Sequence, residues 1–180
     1  MINFKIILKV LGYLLVALSI LLIIPILIDL ISGNDSWKSF LISLIITFGF
    51  GVTFLLSTRN ELKNKILTQD AFLITTLSWI FISVFGALPF FFSDSSLSLT
   101  NSIFESMSGI TTTGSTIFNK VENLPQGILI WRSILQWVGG VGIIVMAVSI
   151  LPVLQVGGMQ VFRTESVSYT HLRAHETFAN

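Results

Sequence analysis

Long apolar runs separated by sparse charges dominate the pattern of this chain. Four runs without a charged residue cover 10–28, 39–58, 71–93 and 133–162, and they contain 19, 20, 23 and 30 residues. A helix rises about 1.5 Å per residue, so about 20 apolar residues cross the roughly 30 Å hydrocarbon core of a bilayer. The pattern therefore predicts an all-α membrane protein with four transmembrane helices.

A fifth segment is periodic but too short to cross a bilayer. Apolar residues recur at helical spacing from Leu99 to Met107, and Thr100 or Asn101 is suited to cap the first turn. Segments of this length are typically re-entrant or interfacial, so we predict a re-entrant half-helix over 100–109. The residues that follow, 110–119, show no helical pattern and are expected to form a loop.

Composition excludes several classes of protein. Of the 180 residues, 53% are hydrophobic and 11% are charged, and the mean hydropathy is +0.88. Soluble proteins carry about 25% charged residues, so this chain has too few to cover a water-exposed surface. The net charge of +1 provides no basic footprint for nucleic acid, and the absence of cysteine excludes thiolate and disulfide chemistry.

Basic residues predict the orientation. Lys5 and Lys9 lie near the N-terminus, and Arg59, Lys63 and Lys65 lie between the second and third runs. Because short cytoplasmic loops carry an excess of Lys and Arg, the N-terminus and this loop are expected on the cytoplasmic side. Four crossings then return the chain to the cytoplasm after the last run.

The order span, half-helix, irregular strand and span is the layout of a pore loop. The C-terminal end of a helix dipole favours a cation, and strand carbonyls can replace the hydration shell of an ion. Thr111, Thr112, Thr113 and Gly114 suit such a strand, because glycine permits unusual backbone angles and threonine adds hydroxyls without charge. Spacing alone leaves a second interpretation open, in which these residues form a polar turn.

Three motifs in the same order resemble TrkH-type potassium-transporting subunits of the Trk/Ktr/HKT superfamily. They are GALPFFF at 86–92, FESMSGITTTGST at 104–116, and the long run at 124–165 that begins LPQGILIWRSILQW. The resemblance implies four span–pore–span units around one potassium pathway in the bacterial cytoplasmic (inner) membrane. It divides this chain into a leading transmembrane pair, 1–60, and a first unit, 61–165, so we expect an N-terminal fragment of a longer protein.

Within that unit the resemblance implies spans at 71–93 and 133–156 and a filter at 111–115. Gly114 then matches the first glycine of the potassium-channel TVGYG loop. The backbone carbonyls of Thr112 and Thr113, flanked by Thr111 and Gly114, are the implied K+ ligands.

Glu105 lies on the half-helix, where a buried carboxylate is costly unless it is paired. One hypothesis makes it an ion-attracting charge, and the other makes it a brace for the loop. We favour the brace, because a carboxylate in the ion path would hold cations too tightly for flux.

The family also implies partners and a substrate. K+ is the transported ion, by a symport mechanism, and no cofactor is expected. A cytoplasmic TrkA-type nucleotide-binding subunit and a homodimer of the full-length protein are the implied partners, with the lipid bilayer as the surroundings. Two alternatives are a permease subunit for another solute and a lipid-modifying membrane enzyme. The enzyme is disfavoured because the predicted spans contain no His, Asp, Glu or Lys.

The last run carries further expectations. Arg132 precedes it and is expected to snorkel at the outer interface. Gly139, Gly140 and Gly142 form either a hinge or, as we favour, a surface for close helix packing. Pro152 is expected to kink the helix, since proline removes a backbone donor.

The segment 167–180 is expected to be non-native, because it stops resembling the family and is similar to translated adapter sequence. His171 and His175 have the i, i+4 spacing of metal ligands but no evident third ligand, so we expect no metal site there.

Overall fold

The structure, a computed structural model, describes residues 3–58, 68–93 and 97–144. These residues form seven α-helices and one 3-10 turn, Val121–Asn123. The helices are α1 Phe4–Leu21, α2 Ile23–Ser32, α3 Trp37–Ser57, α4 Thr68–Gly86, α5 Leu88–Phe92, α6 Leu99–Ile110 and α7 Gln126–Ile144.

Four stretches of helix are long and apolar enough to cross a membrane, which confirms the predicted all-α, four-span class. They are Phe4–Ser32, Trp37–Ser57, Asp70–Phe92 and Gln126–Ile144. Each helix begins before its uncharged run, because charged residues at helix ends can reach the interface or find partners in the protein. The fourth helix begins at Gln126, before the predicted start at 133, and thereby takes in Arg132.

Two of the spans are interrupted at a proline. Helices α1 and α2 meet at Leu22, and Pro25 cannot donate to the carbonyl of Leu21. In the third span, Pro89 likewise cannot donate to residue 85, and the helix breaks at Ala87 between α4 and α5. A proline inside a helix removes one bond and its ring displaces the preceding turn, so each break has a local cause.

One core joins the leading pair to the rest of the described unit. Helix α1 packs on α3 and α4, and α2 packs on α3. The core side chains come from both sides of the predicted division at residue 60: Leu15, Leu18, Leu22, Phe40, Phe85, Phe90, Ile128, Trp131 and Leu135. The described residues up to Gly140 accordingly belong to one compact unit.

Helix α6 buries its polar face and exposes its apolar one. Ser102, Glu105 and Ser106 are buried, whereas Leu99 and Phe104 are exposed. The N-cap is Ser98, whose hydroxyl accepts a hydrogen bond from the Asn101 N–H at 3.2 Å. The expected caps, Thr100 and Asn101, are wrong because both residues already lie inside the first helical turn, whereas Ser98 has the extended backbone of a cap.

Candidate functional site

The C-terminal end of α6 closes in a Schellman motif. The N–H of Thr112 donates to the Gly109 carbonyl at 2.9 Å, and the N–H of Thr113 donates to the Ser108 carbonyl at 3.0 Å. Thr112 occupies the left-handed position of this motif, with φ of 57°. Glycine usually stands there, because it has no Cβ to clash with the backbone.

Thr112 is therefore strained. A left-handed conformation costs an L-residue about 1–2 kcal/mol, and β-branched residues adopt it rarely. The Thr112 hydroxyl donates to the Thr111 carbonyl at 2.7 Å, which partly offsets this cost. Backbone strain of this kind persists where the surroundings fix the conformation, and such positions concentrate at functional sites.

The loop turns its N–H groups toward the helix and leaves carbonyl groups free. Besides Thr112 and Thr113, the N–H of Thr111 donates to Met107 and that of Gly114 donates to Ser108. Within residues 3–58, 68–93 and 97–144, the carbonyls of Thr112, Thr113 and Gly114 accept no hydrogen bond. Residues 111–116 are exposed, so the loop carries these carbonyls on an exposed segment of the chain.

Gly114 has a requirement of its own. Its φ of 77° lies in the left-handed region, and a Cβ added there would approach Gln136 Nε2 only to 3.6 Å. Backbone conformation, rather than lack of space, requires glycine at this position. Just after it, the Ser115 carbonyl accepts a hydrogen bond from Ser108 Oγ at 2.6 Å, which fixes the loop to α6.

Glu105 holds the far end of the loop. Its side chain is fully buried, and its carboxylate accepts hydrogen bonds from the Thr116 hydroxyl at 3.0 Å and from the Ile117 N–H at 3.0 Å. Arg132 Nε lies 2.6 Å from Glu105 Oε1. The carboxylate therefore joins α6, the loop and α7 at one point.

The expected snorkelling of Arg132 is wrong. Its side chain is 17% exposed, and it turns inward to Glu105 instead of reaching a polar interface. A buried carboxylate needs a partner charge, and α7 supplies it from a position that faces α6. The sequence signal was a single charge within the apolar stretch GILIWRSILQW.

Helix α7 crosses the end of α6 at backbone contact. A Cβ added to Gly139 would overlap the backbone of Ile110, and one added to Gly140 would lie 3.9 Å from Thr112 Cγ2. Gly139 thus allows the two helices to approach, in agreement with the favoured packing interpretation. Gly142 lies on the same helix, whereas Pro152 is outside the described residues.

The structure brings the predicted loop residues together. Thr111, Thr112, Thr113 and Gly114 form one turn at the end of α6, and Glu105 lies at the base of the loop. The described ranges contain no cluster of three or more His, Asp or Glu that could hold a metal ion. The segment 167–180, with His171 and His175, lies outside them.

These helices define a multi-pass membrane protein, and comparison with known proteins places it in a family. The TrkH family, described as "Cation transport protein", matches residues 36–174, and the chain belongs to this family. The match reaches into the segment 167–180, whose foreign origin stays a prediction.

Individual proteins with Trk names are similar to this chain. The chain is 44% identical to the "Trk system potassium uptake protein TrkH" of Halomonas elongata, covering 91% of this chain and 34% of the relative. It is 42% identical to the protein of the same name from Escherichia coli K12, with the same coverage of 91% and 34%. The crystal structure of the potassium transporter TrkH from Vibrio parahaemolyticus superposes with a TM-score of 0.81 at 35% identity, over 95% of this chain and 37% of that one. The chain thus spans about a third of the length of the relatives that it matches.

Proposed function

We propose that this chain is part of a potassium-uptake protein and that its loop after α6 supplies one side of the ion-selective filter. The carrying observation is the direction of the loop backbone: the N–H groups of Thr111–Gly114 bond to α6, and the carbonyls of Thr112, Thr113 and Gly114 are free of donors in the described residues. The relatives named as potassium uptake proteins support the identity of the ion.

Carbonyl oxygens suit this role because they can replace the water shell of an ion without adding a full charge. Thr112 and Thr113 are the main ligands in the proposal. The Thr111 carbonyl already accepts the Thr112 hydroxyl at 2.7 Å and would use its second lone pair. Gly114 supplies both a carbonyl and the backbone turn that directs its neighbours.

The charge of Glu105 is proposed to act through the loop and not on the ion. Its two oxygens already bind Thr116, Ile117 and Arg132, so the carboxylate is engaged away from Thr112 and Thr113. Arg132 also neutralises it, which removes the deep cation trap that a free carboxylate would create. This geometry supports the bracing hypothesis over the ion-attracting one.

We also propose that α6 is re-entrant, with the N-terminus of the chain in the cytoplasm. Its 12 residues rise about 18 Å, well short of a roughly 30 Å core. Because the chain contains no cysteine, single cysteines report topology cleanly. Those at Asp35 and Lys120 should react with a membrane-impermeant reagent from outside the cell, and one at Lys63 should not. External labelling at Lys63 would reverse the proposed orientation.

A filter of carbonyls must surround the ion, and one loop provides one side only. We therefore propose that the functional protein is longer and contains further units. A homodimer of that protein, a TrkA-type nucleotide-binding partner and symport belong to the same proposal. The membrane potential would favour inward movement of K+ by about 2.3 kcal/mol per charge per 100 mV.

A chimera tests the function directly. Residues 1–165 replace the matching third of Escherichia coli TrkH, and the chimera is expressed in a potassium-uptake-deficient bacterium. We expect growth at limiting potassium, loss of growth with Gly114→Asp, and retained growth with Gly33→Asp. Gly33 is the matched control because its φ is 69° and aspartate tolerates left-handed backbone. A folded chimera that takes up no potassium would refute the proposal. Growth that is unchanged by Gly114→Asp would refute it as well.

A further inference from the structure

A second buried carboxylate lies away from the loop, in the leading pair. Asp29 belongs to α2 and is 0% exposed. Its Oδ1 accepts a hydrogen bond from the Gly127 N–H at 2.8 Å, across 98 residues of sequence. Gly127 is the second residue of α7, so Asp29 caps the first turn of that helix from outside it.

The contact between Asp29 and Gly127 is close. A Cβ added to Gly127 would overlap the Asp29 carboxylate, so only glycine fits with the carboxylate in place. One turn later in α2, the Ser32 hydroxyl donates to Gln126 Oε1 at 2.7 Å. Asp29 and Ser32, one turn apart on α2, thus bind the first two residues of α7, Gln126 and Gly127.

The contact between the Asp29 carboxylate and the N-terminus of α7 is also electrostatically favourable. The N-terminus of a helix carries partial positive charge and free N–H groups, and a carboxylate there satisfies both. Asp29 Oδ2 is nevertheless buried without a hydrogen-bond partner among the described residues. The hydrogen bond to Gly127 is thus the contact that ties this carboxylate to the first turn of α7.

We propose that Asp29 is a positioning residue for the filter loop, an inference that rests on the proposed function. Arg132 lies five residues after Gly127 on the same helix, about 7.5 Å along its axis. It binds Glu105, which in turn holds Thr116 and Ile117. Asp29 thus connects the leading pair to the loop through α7.

Ion selectivity tests this role in the chimera. We expect Asp29→Ala to lower the ratio of K+ to Na+ uptake about tenfold per folded molecule, because sites that depend on geometry lose much of their function on a displacement of about 1 Å. Asp29→Asn keeps the Oδ1 acceptor and the shape, so it should retain the parental ratio. Asp35→Ala is the control, since that carboxylate is exposed and bonded to Lys38.

The tight fit gives a second test. Gly127→Ala alone should impair selectivity by pushing against the carboxylate. In the double variant Asp29→Ala/Gly127→Ala the methyl group has room, so the double should be no worse than either single variant. Additive losses would contradict the proposed contact.

A thiol readout separates this inference from the function itself. Ile117 is half-buried and its N–H binds the Glu105 carboxylate. In a cysteine-free chimera, the labelling rate of Ile117→Cys therefore reports loosening of the loop. Asp29→Ala should accelerate labelling and Asp35→Ala should not. Faster labelling in a chimera that does not select K+ would refute the proposed function while supporting the role of Asp29. Unchanged labelling and an unchanged ion ratio in Asp29→Ala would overturn the inference.

Discussion

Two regions of this apolar protein each contain a buried carboxylate, and they satisfy it differently. Glu105 is surrounded by the Arg132 guanidinium, the Thr116 hydroxyl and the Ile117 N–H. Asp29 has one hydrogen bond, from Gly127, and one oxygen without a partner in the described residues. The first carboxylate organises a loop, whereas the second joins two helices that are distant in sequence.

The difference has an energetic consequence. Removing one partner of a buried ion pair leaves an uncompensated charge and costs about 3–5 kcal/mol. Removing one acceptor of a neutral N–H leaves a smaller penalty, about 1–3 kcal/mol. The Glu105 region should therefore resist single substitutions less well than the Asp29 region, although it contains more bonds.

The largest expected effect follows at Arg132. Arg132→Met should destabilise the folded chimera by about 3–5 kcal/mol, because Glu105 stays buried without its partner. The unfolding midpoint of the purified protein in detergent measures this loss. The double variant Arg132→Met/Glu105→Leu should recover only part of it, because both charges are then absent but the Ile117 N–H and the Thr116 hydroxyl lose their acceptor. A single variant as stable as the parent would show that the ion pair does not hold the loop.

The elements of this fold follow from the sequence more readily than the contacts between them. Charges mark the ends of the apolar runs, so four spans follow from length alone. The partner of Glu105 does not follow, because Arg132 lies 27 positions further on, from a helix whose rotation no pattern specifies. Asp29 similarly marks the edge of a run, and only packing shows that it is buried against α7.

The candidate loop was more predictable than its supports. Thr111–Gly114 stand out because they follow a half-helix that is too short to span and lie between two long apolar runs. Left-handed backbone at Gly114 fits the ordinary preference of glycine, but the same conformation at Thr112 contradicts the preference of threonine. Local propensity could not reveal it, since tertiary contacts and the Schellman bonds impose it.

The next largest loss of stability is expected at Asp29, in the leading pair. Asp29→Ala should destabilise the protein by about 1–3 kcal/mol, because the Gly127 N–H loses its acceptor in a buried place. The same unfolding midpoint measures it beside Arg132→Met. Equal losses in the two variants would remove the energetic distinction between the regions.

A pair of glycines separates backbone strain from function. Gly33 follows α2 with φ of 69°, and Gly114 follows α6 with φ of 77°. Neither has an obstacle to a methyl group: the nearest atom to the added Cβ lies at 3.6 Å for Gly114, and none lies within 4 Å for Gly33. Alanine should thus cost each site a similar 1–2 kcal/mol, roughly the strain of left-handed backbone. Only Gly114→Ala should alter the K+ to Na+ uptake ratio, and an equal change at Gly33 would contradict a specific role for the loop.

The smallest effect is expected at an exposed ion pair, which is the reference for Glu105 and Asp29. Lys38 Nζ lies 2.7 Å from Asp35 Oδ1, and this hydrogen bond and charge hold the pKa of Asp35 below its ordinary value. A carboxyl group with a lowered folded-state pKa contributes stability above its unfolded pKa of about 3.9 and loses it as pH falls through the folded value. Both side chains are largely exposed, so water and salt screen the attraction. Asp35→Asn should therefore lower the unfolding midpoint at pH 7 only slightly, and the decline of the midpoint below about pH 4 should be smaller by the same slight amount. A loss at neutral pH comparable to that of Asp29→Ala would show that burial does not distinguish these carboxylates.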